Sequence, residues 1–72
     1  MKYPNLNDEI DKKILVYLKK EDWPVTTEMV GKALGMSWNT AQIHLYKLQA
    51  DGLLRGKRVG RQNQWMLVDR MK

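Results

Sequence analysis

A chain of 72 residues, 43% hydrophobic and 29% charged, is one small globular domain (1–72): too apolar for disorder, and too short to hide more than about 60% of its unfolded surface. It has no cysteine and one histidine, which excludes disulfides, thiolate chemistry and a histidine-built metal centre, so no cofactor and no metal are expected. The net charge of +5 is lopsided: residues 1–30 hold five lysines against six acids, whereas residues 31–72 hold eight Lys or Arg against two, so an anionic partner would meet the second half.

Residues 1–6 read as an N-terminal arm, because Pro4 is a poor helix residue. Asn7 suits a helix cap ahead of Asp8 and Glu9, and Lys19 and Lys20 suit the other end of the same helix. Between them Ile10, Ile14, Leu15 and Leu18 form a core stripe at helical spacing, with Val16 pointing nearly the opposite way. The run Ile14–Leu18 is the longest apolar stretch, too short to cross a bilayer, and nothing resembles a signal peptide. No membrane partner is expected, and the expected location is the cytoplasm, or the nucleus or host-cell interior for a eukaryotic or viral source. Trp23-Pro24 breaks the helical pattern, with Trp23 as a lid over the helix end, and Val25 supplies one or two extended residues.

Thr26 then caps a second helix, about 27–34, which buries Val30 and Leu34 and ends at Gly35. Ser37 caps a third that reaches about Asp51 and stops at Gly52, with Ala41, His44, Leu45 and Leu48 on one side. The segment 53–68 reads as a two-stranded β-hairpin. Gly60-Arg61 suits a type II′ turn, which pairs Arg58 with Asn63, Gly56 with Trp65 and Leu54 with Leu67. In that register Leu54, Trp65 and Leu67 face inward, Gly56 leaves room for the indole, and Arg55, Lys57, Gln64 and Met66 face out.

Three helices and a hairpin, with a tight turn between the second and third helices, resemble a winged helix-turn-helix domain over about residues 8–68. The resemblance is carried by Val30-Gly31-Lys32-Ala33-Leu34-Gly35-Met36-Ser37 followed by Ala41, His44, Leu45 and Leu48. Gly31 stands where the two helices nearly touch and Gly35 is the turn glycine. Val30, Leu34, Met36 and Ala41 meet the apolar pattern, and His44 departs from it. The passage Leu48–Leu54 is similar to the family's run from helix end to strand. The resemblance implies an α+β, mainly α fold: a three-helix winged helix-turn-helix, with the helix-turn-helix at 27–51 and a C-terminal two-stranded β-hairpin wing at 53–68. It also implies a sequence-specific double-stranded DNA-binding protein, a small transcriptional regulator acting at promoters by occlusion or recruitment. Regulators of this kind commonly pair up to read two half-sites, so a homodimer is a candidate partner state.

Rotating the third helix by about 100° per residue puts Asn39, Gln42, Ile43 and Tyr46 opposite its core side, with Trp38 and Lys47 at the margins. A helix of about 14 residues is about 21 Å long and of a diameter that suits a DNA major groove. Asn39 and Gln42 can each make two hydrogen bonds to adenine, and Ile43 can meet a thymine methyl. The first turn, with Ser37 and Thr40, offers hydroxyls and backbone amides to a phosphate. Lys57, Arg58 and Arg61 near the hairpin tip, with Lys32 and Lys47, are the further phosphate candidates.

The plain structural readings run alongside. His44 is a satisfied core histidine rather than a ligand or base, Trp65 is core, and Ser37 is a cap with no base to make it a nucleophile. Asp8, Glu9, Glu21 and Asp22 are helix-end charges. No enzyme activity and no small-molecule ligand are expected. Trp38, Ile43 and Tyr46 nevertheless make the outer face apolar, which suits a protein-interaction adaptor that also uses Val16. The stretch 42–48, with Trp65, is also similar to Z-alpha domains, which bind left-handed nucleic acid. Tyr46 and Trp65 fall on that family's tyrosine and wing tryptophan, while Gln42 replaces its asparagine, Trp38 its lysine, and its proline-rich wing is missing.

Overall fold

The fold is seen in a computed structural model that describes residues 9–21 and 24–68. The expected arm, the Asn7 cap with Asp8, and the Trp23 lid lie outside the described residues. Helix α1 (Glu9–Lys20) opens on Glu9 and Asp11 and closes on Lys19 and Lys20, matching the helix dipole at both ends. It buries Asp11, Ile14, Leu15 and Leu18, and leaves Val16 exposed. The expected stripe is corrected at one position: Ile10 is half-buried at the core's edge, and Asp11 is fully buried. The reason is rotational. At about 100° per residue Asp11 falls within roughly 20° of Leu18, nearer the centre of the stripe than Ile10. On the flank of α1, burial and secondly the charge of Glu21 push the Tyr17 phenol above its ordinary value of 10.0.

Strand β1 (Val25–Thr26) leads directly into α2 (Thr27–Leu34), whose first turn is closed by the Thr26 hydroxyl accepting from the Met29 amide at 3.1 Å. Val30 is buried, and Leu34 is half-buried against the core. Gly35 ends α2 at φ 70°, which lets the Met36 amide reach back to the Gly31 carbonyl at 2.9 Å. A Cβ at Gly31 would lie 2.9 Å from the Met36 carbonyl oxygen, so the turn into α3 closes over a bare Cα. Helix α3 (Trp38–Ala50) starts on Ser37, whose hydroxyl accepts from the Thr40 amide at 3.2 Å. It ends with the amides of Gly52 and Leu53 on the carbonyls of Gln49 and Leu48, at 2.9 and 3.0 Å.

Strands β2 (Leu54–Val59) and β3 (Gln62–Leu67) pair antiparallel in the expected register, Leu54 with Leu67, Gly56 with Trp65 and Arg58 with Asn63, about a turn in which Gly60 has φ 62°. The hairpin is not a free two-stranded wing. β1 pairs antiparallel with the other edge of β3, Val25 opposite Trp65 and Thr26 opposite Gln64, giving a sheet of order β1-β3-β2. The inner edge of β3 lies against the core, where its backbone groups need partners, and two residues of β1 supply them. The core is the junction of all three layers: Ile14, Leu15 and Leu18, Val25, Val30, Ala41, Leu45 and Leu48, Leu54 and Trp65. Each fully buried Leu, Ile or Val side chain there contributes about 1.5–3 kcal/mol.

Candidate nucleic-acid interface

The outer side of α3, the β2–β3 tip and the start of α2 bound an open groove of about 380 Å³. Thr27 and Glu28 line it from α2, Trp38, Gln42 and Tyr46 from α3, and Arg58, Arg61, Gln62 and Asn63 from the hairpin. A hydrogen-bond relay runs beneath it. The indole N–H of Trp65, which is 1% exposed, donates to the Thr27 hydroxyl oxygen at 2.9 Å, and that hydroxyl donates to Gln42 Oε1 at 2.7 Å. Tyr46 stands edge-on to the Trp65 ring, with centroids 5.3 Å apart and planes at 85°, and accepts a hydrogen bond from Asn63 Nδ2 at 3.3 Å. These contacts fasten the hairpin to α3 and hold the groove at its width.

The residues singled out from the sequence separate into three groups. Trp38, Asn39, Ile43 and Tyr46 are exposed on α3, with Ile43 at 66%. Lys57, Arg58 and Arg61 are exposed on the hairpin and make no ion pair among the described residues, but only Arg58 and Arg61 line the groove; Lys57 lies on the other face of the hairpin, beside Arg55 and Gln64. The remaining five have commitments of their own. Gln42 is half-buried, and its carbonyl oxygen accepts from the Thr27 hydroxyl at 2.7 Å, which fixes the orientation of its amide. Ser37 spends its hydroxyl on the cap, accepting from the Thr40 amide and donating to Thr40 Oγ1 at 3.0 Å. Lys32 sits 3.5 Å from Glu28, an exposed pair of little energetic weight that yields readily to another anion. Lys47 turns its ammonium to Asp11 Oδ2, at 2.8 Å.

That last contact belongs to a cluster that sequence reasoning missed. Asp11 is 0% exposed, and each carboxylate oxygen has a partner: Oδ2 takes Lys47, and Oδ1 takes His44 Nδ1 at 2.8 Å. A carboxylate only accepts, so Nδ1 carries the proton. His44 is therefore the satisfied inner histidine expected, and its departure from the apolar pattern has a partner that explains it. The cluster ties α3 to α1 through two charge-assisted bonds and so fixes the roll of the helix that bears Asn39, Ile43 and Tyr46. The signal was present: an acid on the apolar stripe of α1, and one polar residue on the inner side of α3.

No protein-family model and no curated protein matches the sequence. Among solved structures the chain is similar to the homodimeric winged helix-turn-helix DNA-binding domain of a possible ArsR-family transcriptional regulator from Mycobacterium bovis, with a TM-score of 0.77 and 26% identity. The match covers 86% of this chain and 56% of that one, so the chain spans little more than half the length of its neighbour. The fold is a winged helix-turn-helix. In it α2 and α3 form the helix-turn-helix, β2 and β3 the wing, and the groove lies between the third helix and that wing. At the two positions that resemble Z-alpha domains, Tyr46 is exposed and Trp65 is buried, with its indole N–H on Thr27 and its ring edge-to-face with the tyrosine. Among the described residues no helix is long and apolar enough to cross a membrane.

Proposed function

We propose that this winged helix-turn-helix binds double-stranded DNA sequence-specifically, as a small transcriptional regulator, with α3 in the major groove and the wing tip on phosphates. The observation that carries the reading is the groove itself: Trp38, Gln42 and Tyr46 of α3 face Arg58 and Arg61 of the hairpin, which make no ion pair among the described residues, and the one acid on its lining, Glu28, is paired with Lys32. The cations position the protein on the backbone, and the helix side chains meet base edges. Support comes also from the charge of the second half of the chain and from the DNA-binding function of the structural neighbour. That neighbour is homodimeric, and two copies of this chain would read half-sites about one helical turn, roughly 34 Å, apart. The role requires a location with the DNA, the cytoplasm of a cell without a nucleus or the nucleus of one that has it. It assigns no catalytic step.

One observation favours a second reading, a protein-interaction adaptor: Trp38, Ile43 and Tyr46 are 53%, 66% and 47% exposed on one helix. Binding of the purified protein to a fluorescent random-sequence duplex, titrated at rising salt, separates the two. DNA binding through several phosphates loses about three orders of magnitude in affinity between 50 and 200 mM salt. An adaptor shows no affinity for the duplex at either concentration.

A further inference from the structure

We infer that Thr27, a buried residue outside the third helix, determines which base Gln42 reads, by fixing its amide so that only the NH2 group faces the groove and guanine is selected over adenine. The inference rests on the DNA-binding reading and deepens it. The indole N–H of Trp65 can only donate, so at 2.9 Å the Thr27 oxygen must accept from it. The single hydroxyl proton of Thr27 then goes to Gln42 Oε1 at 2.7 Å. A flipped amide would turn N–H groups toward Thr27, whose proton, on a residue 2% exposed, would lose this acceptor. Every polar atom of the relay is satisfied in one orientation only.

The consequence for recognition is chemical. Gln42 lines the groove, and its Nε2 is neither bonded among the described residues nor buried without a partner. Oε1 keeps a second lone pair, but its bond to Thr27 fixes the amide plane, so the NH2 group is what leads toward a ligand. In the major groove guanine offers two neighbouring acceptors, N7 and O6, which one NH2 group can span. Adenine offers N7 as acceptor but N6 as donor, and the usual two-bond contact from glutamine needs Oε1 free to receive it. Here Oε1 is held from below. Register explains why this residue type stands at position 27: Val25 pairs with Trp65, which brings the next turn of chain over the indole nitrogen.

The test is selection from random duplex DNA with the wild-type protein and four variants, each checked for folding by circular dichroism. Gln42→Ala defines the position read, as the one whose preference disappears. At that position the wild type is expected to prefer guanine over adenine by about tenfold, the size of one good base contact. Thr27→Val, which keeps the shape and removes the relay proton, should free the amide and bring guanine and adenine to within about twofold. Thr27→Ser should retain the wild-type preference. Gln42→Glu, which can only accept, should move the preference to cytosine through its N4 amine. The Gln42→Glu shift and the wild-type base do not depend on whether Thr27→Val folds. A wild-type preference for adenine at the Gln42 position, or an unchanged preference in folded Thr27→Val, overturns the inference and leaves DNA binding standing. A wild-type protein that enriches no sequence overturns both.

Discussion

Gly56 is the position at which a single methyl group tests how the wing is seated. A Cβ there would lie 2.6 Å from Trp65 Cζ3, 2.9 Å from Cε3 and 2.8 Å from Gln49 Oε1. The Gln49 amide is the end of an exposed side chain and moves aside cheaply. The indole cannot: it is 1% exposed, bonded to Thr27 and capped by the Tyr46 ring. Overpacking of this kind costs about 1–3 kcal/mol, and replacing a strand glycine by alanine returns about 0.5–1 kcal/mol, leaving a net loss of about 1–2 kcal/mol for Gly56→Ala. Against a total stability of about 4–11 kcal/mol for a chain of this length, that is a substantial fraction. With an unfolding entropy of about 0.15 kcal/mol/K, Tm falls by about 7–13 °C. The cause is isolated by repeating the substitution in Trp65→Leu, which removes both crowded ring atoms. There Gly56→Ala should become stabilising, by about 0.5–1 kcal/mol, so the sign reverses and the double-mutant cycle shows a coupling of about 1.5–3 kcal/mol. Urea unfolding followed by circular dichroism measures all four proteins. Equal effects of Gly56→Ala in the two backgrounds would refute the seating of the indole against β2.

Arg58→Ala with Arg61→Ala should weaken binding to all duplexes alike and flatten the log–log salt dependence by about two units, read by fluorescence anisotropy; an unchanged slope removes both residues from the phosphate contacts. Asn39→Ala should cost about 1–3 kcal/mol on the preferred site and much less on unrelated DNA, with the salt slope unaltered; equal losses on both would assign Asn39 to the backbone. Asp11→Ala should destabilise the fold by about 2–3 kcal/mol in urea unfolding, below the ~3–5 kcal/mol typical of a fully buried pair, because the Lys47 side chain is 43% exposed and can turn to water. A loss under about 0.5 kcal/mol would show that the cluster does not hold α3 to α1.

The elements most open to sequence reasoning were those governed by local chemistry. The Thr26 and Ser37 caps, the Gly35 stop and the hairpin register each depend on a few neighbouring residues, and each appears where its residue types require. What escaped depends on contacts across the chain. Two extended residues at Val25–Thr26 carry no strand signal of their own, and become a strand only because β3 has an open inner edge. Asp11 was legible by rotation but hidden by the habit of reading acids as surface. Its burial needs His44 and Lys47, more than thirty residues away. On α3, the exposure of Asn39, Ile43 and Tyr46 followed from helical periodicity. The captured oxygen of Gln42 did not, since the captor sits on a different helix and is itself placed by a strand pairing.

In the proposed function, the surface between α3 and the wing meets DNA. That contact is tested most directly by titrating the isotope-labelled protein with a duplex recovered by selection, and following backbone amide shifts by NMR. The largest changes are expected on residues 38–43, Tyr46 and the wing tip from Lys57 to Arg61, while the outer face of α1 around Val16 stays unmoved. Changes centred on Lys13, Val16 and Lys20, or none at any residue, would contradict it.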